Sequence, residues 1–191
     1  MSVILPVLSA PLVFSFLTYI AATEAAPRKD FNPCPSLTNE AQPFFEEHDI
    51  RRDIVVIEEV NQGFCRAAGS TLFSKNPPGI HMAPGLHNED KNAYNWILKH
   101  EIHHIKSNDL FTIPLVACIA SIAFGIIGIF LLPTGLISVV AYFGGITAMS
   151  LFSQWREAAA DNFAIENSSI EELLGGRRLL TAFQNTQLEK R

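Results

Sequence analysis

What this sequence has little of narrows the field before any motif is read. Cysteine is scarce: Cys34, Cys65 and Cys118 are the only three in 191 residues. They are too few and too scattered for a disulfide framework or a cysteine-built zinc site. Cys118 lies in an apolar run and reads as a small packing residue. A Cys34–Cys65 bridge would require an oxidising compartment. Basic charge is also in short supply. Fourteen Lys and Arg against nineteen Asp and Glu leave a net charge of −5, without a basic cluster, which argues against nucleic acid as a partner. One long stretch has no charge at all: residues 110–152 carry none, in a chain that is 48% hydrophobic with mean hydropathy +0.20.

The apolar residues are gathered in blocks. Val3 to Ala22 is about twenty residues long, enough to span a bilayer. A retained anchor is the expectation, because Arg28 and Lys29 follow the apolar run whereas a cleavable signal carries its positive charge ahead of it. The small residues Ala-Ala-Thr-Glu-Ala-Ala keep signal cleavage as the competing reading. Leu110 to Leu132 covers roughly 34 Å as a helix, and Leu136 to Phe152 roughly 25 Å, with Pro133-Thr134-Gly135 between them. A transmembrane hairpin is predicted, with Trp155 at its interface. Ala117, Ser121, Gly125 and Gly128 in one arm, and Ala141, Gly144, Gly145 and Ala148 in the other, allow close packing. Two buried core helices are the alternative. All fourteen Lys and Arg lie in 23–109 and 153–191, which predicts an integral protein of the inner or plasma membrane with both stretches on the cytoplasmic side.

The region 23–109 begins with a segment rich in Pro, Asn and acidic residues, expected to be irregular to about Asp49. Asp53 to Val60 is rich in β-branched residues and predicts a strand; Thr71–Ser74 and Ile80–Ala83 predict shorter ones. A helix is expected from an Asn88 cap to about Asn108, because Tyr94, Ile97, Leu98, Ile102 and Ile105 recur at three-to-four spacing.

On that helix stands His100-Glu101-Ile102-His103-His104, an H-E-x-x-H pattern. At 100° per residue, His100 and His104 share one face and can reach a single metal ion. Glu101 projects beside them, where it can take a proton from water whose pKa a zinc ion lowers to about 7. A third ligand is available in Glu157, four residues before Asp161 on a second helical stretch, Trp155 to about Glu166. Two histidines and a glutamate form the donor set of catalytic zinc sites, with a position left open. Asp161 can orient a ligating histidine through its other ring nitrogen. His104 precedes the uncharged block by six residues and Glu157 follows it by five, so a hairpin returns both half-sites to one face. His103 reads as a packing residue, His81 and His87 as loop residues beside the cleft. Arg177 and Arg178, after a Gly175-Gly176 break, are candidates for stabilising an oxyanion. A strand edge at 53–60 or near 80 is a candidate for binding extended substrate.

The stretch His-Glu-Ile-His-His-Ile-Lys-Ser-Asn-Asp (100–109), an apolar hairpin, and Ser-Gln-Trp-Arg-Glu-Ala-Ala-Ala-Asp (153–161) resembles the HtpX and CaaX prenyl protease family of zinc metallopeptidases. The resemblance covers roughly residues 69 to 165. It implies His100, His104 and Glu157 as ligands of one Zn2+ per chain, Glu101 as catalytic base and Asp161 as the acid behind a ligand. His-Ile-Lys-x-x-Asp-Leu is also similar to the BlaR/MecR sensor metallopeptidases, but Ala160-Asp161 rather than Cys-Asp favours the HtpX side.

The fold expected from these readings is mainly α and membrane-embedded. It is an α+β gluzincin-like zinc peptidase domain with a small β-sheet and a transmembrane hairpin inserted between the two metal-binding helices. Its parts are an anchor or signal (1–22), a first peptidase segment (23–109), the hairpin (110–152) and a second peptidase segment (153–191). The expected function is zinc-dependent endopeptidase action on membrane or membrane-proximal proteins, with peptide substrates and the lipid bilayer as partners. The alternatives are a non-catalytic sensor-type zinc protein, or a peptidase facing the exterior after signal cleavage.

Overall fold

The computed structural model describes residues 34–50, 54–58, 66–68, 79–131 and 134–189. The predicted anchor at 1–22 and strand at Thr71–Ser74 lie outside them, as does Cys65. Cys34 and Cys118 are free thiols. The elements in chain order are α1 (Pro35–Glu47), β1 (Val55–Glu58), β2 (Arg66–Ala68), β3 (Gly79–Met82), α2 (Leu86–Glu89), α3 (Lys91–Lys106), α4 (Asp109–Leu131), α5 (Thr134–Glu166) and α6 (Ile170–Glu189). They form two compact units, one of residues 108–157 and the other containing 34–107 and 158–189.

In the larger unit a three-stranded sheet has the order β1-β3-β2. β1 runs parallel to β3 with Val56 opposite Ile80, and β2 runs antiparallel with Ala67 opposite Ile80. Val56, Ile80 and Met82 are fully buried against Tyr94, Leu98, Ile102 and Ile105 of α3. Their spacing of four, four and three residues keeps one stripe of α3 on the core. Full burial of each such side chain contributes about 1.5–3 kcal/mol, so this stripe is what fixes α3. Ile97 is only partly buried, while Trp96 is buried on another face, against α6.

The segment expected to be irregular up to Asp49 is instead largely helix α1. Pro35 stands at its first turn, where no amide donor is needed, and Leu37, Ala41 and Phe45 recur every four residues on the core. The expected cap is also corrected. Leu86–Glu89 forms its own short helix, and Asp90, rather than Asn88, caps α3 by accepting from the Ala93 amide at 3.0 Å. α3 ends at Lys106, and Asn108 takes a left-handed φ of 54°, which Asn tolerates better than most residues, before α4 begins at Asp109.

Gly175 and Gly176 do not break the chain. They lie inside α6, where a Cβ on Gly175 would come 2.5 Å from the Ala93 amide nitrogen and one on Gly176 would strike the Trp96 ring. Glycine costs roughly 1 kcal/mol in a helix, but here it lets α6 lie directly on α3. Ser169 and Glu172 cap α6 reciprocally: Glu172 Oε2 accepts from the Ser169 amide at 2.8 Å, and the Glu172 amide donates to Ser169 Oγ at 3.3 Å.

In the smaller unit both uncharged blocks are helical, and small residues let α4 and α5 approach. A Cβ on Gly145 would collide with Ser121 Oγ, and one on Gly144 with the Phe124 ring. The membrane reading is nonetheless overturned: among the described residues, no helix is long and apolar enough to cross a membrane. The block expected as a second span is not a helix of its own. It is the first part of a 33-residue helix whose remainder carries Arg156, Glu157, Asp161 and Glu166. α4 likewise opens on a charged residue, Asp109, buried in an ion pair. The membrane-embedded fold class, the transmembrane hairpin and the integral-membrane location with a cytoplasm-facing site therefore fall. Nor are the blocks buried core helices, since Phe130 is 82% and Phe143 60% exposed.

Candidate metal centre

The C-terminal half of α3 presents the histidines. His100 and His104, one helical turn apart, turn their Nε2 atoms toward each other at 3.1 Å. At that separation one ring can donate to the other, or both nitrogens can reach a single metal ion. A carboxylate oxygen of Glu157 completes the group, with all three ligand atoms within 4.8 Å of one another. His100, His104 and Glu157 could thus hold a metal ion, and no other group of this kind occurs among the described residues.

Asp161 lies one turn beyond Glu157 on α5. Its Oδ1 is 2.9 Å from His100 Nδ1. An N–H at Nδ1 directed to Asp161 would leave the His100 Nε2 lone pair for a cation. The donors are two imidazoles and one carboxylate, with a second carboxylate beside one imidazole, a set that could hold a metal ion. Glu101, next to His100 in the chain, is buried.

The other histidines lie elsewhere. His103 Nε2 is 3.3 Å from Ser107 Oγ and its ring packs on Phe163 at 5.2 Å. His87 pairs with Glu40 at 2.9 Å, in a cluster with Lys91. In that cluster the Lys91 hydrogen bond, stronger than the opposing effect of burial, holds the Glu40 carboxyl below its usual range. His48 packs edge-on to Phe163, and burial, then the charges of Lys106 and Lys99, keep its pKa low against the opposing pull of Glu47. His81 is buried on β3 and outside the metal group.

Three functional expectations change. Arg178 does not approach the histidines. Its Nε and Nη2 donate to Asp90 Oδ2 at 3.0 and 2.7 Å, at the opposite end of α3 and roughly 15 Å along the helix from His100. The Ala93 amide and then Arg178 hold the Asp90 carboxyl below its usual range. The outer edge of β1 is also taken. The Cys34 amide donates to Val56 O at 2.8 Å, and the Val56 amide donates to Thr38 Oγ1 at 3.0 Å, so both backbone groups of Val56 are already engaged. Trp155, placed at a membrane interface from the sequence, stacks on Phe152 and under the Arg156 guanidinium.

Two ion pairs near the centre were not anticipated. Lys99, buried one residue before His100, donates to Glu172 Oε2 at 2.7 Å. Burial pushes the Glu172 carboxyl up, but Lys99 and the Ser169 amide outweigh it and leave its pKa below the usual range. Arg156, one residue before Glu157, donates from Nε to Asp109 Oδ1 at 2.7 Å. The Ser-x-x-Glu signature at 169–172 was there to be read; nothing local announces the partner of Arg156, forty-seven residues away.

Neither a protein-family model nor any of the curated proteins matches this chain. The likeness to HtpX-type peptidases therefore rests on the motifs quoted above.

Proposed function

We propose that this chain is a zinc-dependent endopeptidase that hydrolyses peptide bonds in protein substrates. The observation that carries the reading is the convergence of one ligand atom each from His100, His104 and Glu157 within 4.8 Å. Three protein ligands leave a fourth position for water or a substrate carbonyl. An ion bound there supplies Lewis acidity, which lowers the pKa of water and polarises a carbonyl. The remaining work belongs to the chain. Asp161 holds the His100 ring in one tautomer and orientation. Glu101 accepts the proton of the attacking water and returns it to the departing amine. His100 and Glu101 are buried, whereas Glu157 is exposed and the Asp161 side chain is 49% exposed, so water reaches the ligand that α5 supplies. The choice of membrane proteins as substrates followed from the predicted spans and loses its basis with them.

The test uses the purified full-length chain, its zinc content and cleavage of a labelled casein. One zinc per chain is expected, with activity removed by a chelator and restored by zinc. Glu101→Gln should retain the zinc and cleave roughly 100-fold or more slowly. A wild type that binds no zinc, or a Glu101→Gln variant that cleaves like wild type, overturns the reading.

A further inference from the structure

We propose that the Asp109–Arg156 ion pair is the device that positions Glu157 as a metal ligand, a proposal that rests on the zinc reading above. Asp109 is buried and the Arg156 side chain nearly so, and they meet at 2.7 Å between Arg156 Nε and Asp109 Oδ1. Each charge stands beside a half of the metal group in the chain. Asp109 follows His104 by five residues, and Arg156 immediately precedes Glu157. Asn108, with φ of 54°, makes the bend that ends the histidine helix and starts α4 on Asp109.

The pair acts on α5 as a rotational stop. Neighbouring residues on a helix point 100° apart, so fixing Arg156 fixes the direction in which Glu157 projects. A rotation of α5 by 10° moves a side-chain tip at about 5–6 Å radius by roughly 1 Å. A metal–ligand bond tolerates about 0.2 Å. A buried carboxylate also strongly resists losing an ion-pair partner, because burial penalises its charge. Arg156 and Asp109 are positioning residues in this scheme; they do not touch substrate or ion.

The test is zinc affinity, measured by competition with a chromophoric chelator on the full-length chain, alongside its apo melting temperature. Asp109→Asn should weaken zinc binding roughly 10–100-fold, the range found when a group supporting a ligand is removed. Arg156→Lys, which keeps the charge but loses the guanidinium geometry, should fall between it and wild type. In a Glu157→Ala background, Asp109→Asn should change affinity by about twofold or less, since its effect runs through the missing ligand. If Asp109→Asn does not fold, Arg156→Gln is read in the same way.

Wild-type affinity in Asp109→Asn overturns the proposal, and so does a loss that persists undiminished without Glu157, which would mark general damage to the fold. A wild-type chain that binds no zinc overturns the functional reading and this one with it. Normal zinc binding and cleavage by wild type, combined with an inert Asp109→Asn, removes only the positioning role.

Discussion

The two ends of helix α3 use charge in opposite ways. From its cap to its middle, charges are matched one to one: Asp90 with Arg178 at the cap, and Lys99 with Glu172 where α6 crosses. Each of these pairs is complete in itself, and each joins α3 to α6. Toward the C-terminus, groups of the same kind are brought together. Two imidazole nitrogens face each other at 3.1 Å with a carboxylate near, and a second carboxylate stands behind one ring. Complementary pairing stabilises a fold without needing anything from outside. Converging donor atoms gain most when a cation joins them, so the second arrangement could hold a metal ion where the first is complete without one.

That contrast can be broken experimentally. The largest effect is expected at the converging end, where Glu101→Gln should lower turnover roughly 10²–10⁴-fold while leaving the melting temperature within a few degrees of wild type. Casein cleavage and a thermal melt on one preparation check both halves. Lys99→Met should do the reverse. It strands Glu172 without its ammonium in a buried site and should destabilise the chain by about 3–5 kcal/mol in denaturant titration. A variant that melts normally but loses zinc would show that Lys99 belongs to the metal end instead.

Acid separates the ends next. The folded pKa of Glu172 lies below its unfolded value near 4.5, so its stabilisation is complete above that value and is lost as pH falls through the folded one. Denaturation midpoints measured across pH 6 to 3 should decline below about pH 4.5, and Glu172→Gln should flatten part of that decline. The smallest effect is expected for Arg178→Ala, at most about 1 kcal/mol, because its guanidinium is largely exposed and water screens the pair. Its zinc affinity should equal that of wild type. A drop would mean that the matched end communicates with the converging one.

Much of this was legible from sequence because it is local. The i, i+4 histidines and the stripe Tyr94, Leu98, Ile102 and Ile105 needed only the helical period, and the structure places both on α3. Glu157 and Asp161 were legible as a pair one turn apart for the same reason. Helix α1 was hidden by its Pro and Asn residues, although Leu37, Ala41 and Phe45 carry the period beneath that composition. Helix α6 was hidden by Gly175-Gly176, which read as a break because glycine weakens an isolated helix. Only the nearness of Ala93 and Trp96 explains why two are there. The destinations of Arg178, Lys99 and Arg156 were not legible, since each partner lies between 47 and 88 residues away. The membrane reading failed on a property of whole elements. The uncharged blocks lie on α4 and α5, and among the described residues no helix is long and apolar enough to cross a membrane.

The two glycines of α6 have a consequence for anyone who mutates this chain systematically. Any residue placed at 175 or 176 must push a carbon into the backbone of α3 or the face of Trp96, so both positions should reject nearly every substitution. A map of mutational tolerance would then show two groups of forbidden positions of equal depth, one at the histidines and one at the glycines. Added zinc tells them apart. It would partly restore folding to variants with a weakened ligand set by mass action, and would do much less for Gly176→Ala, whose defect is a collision.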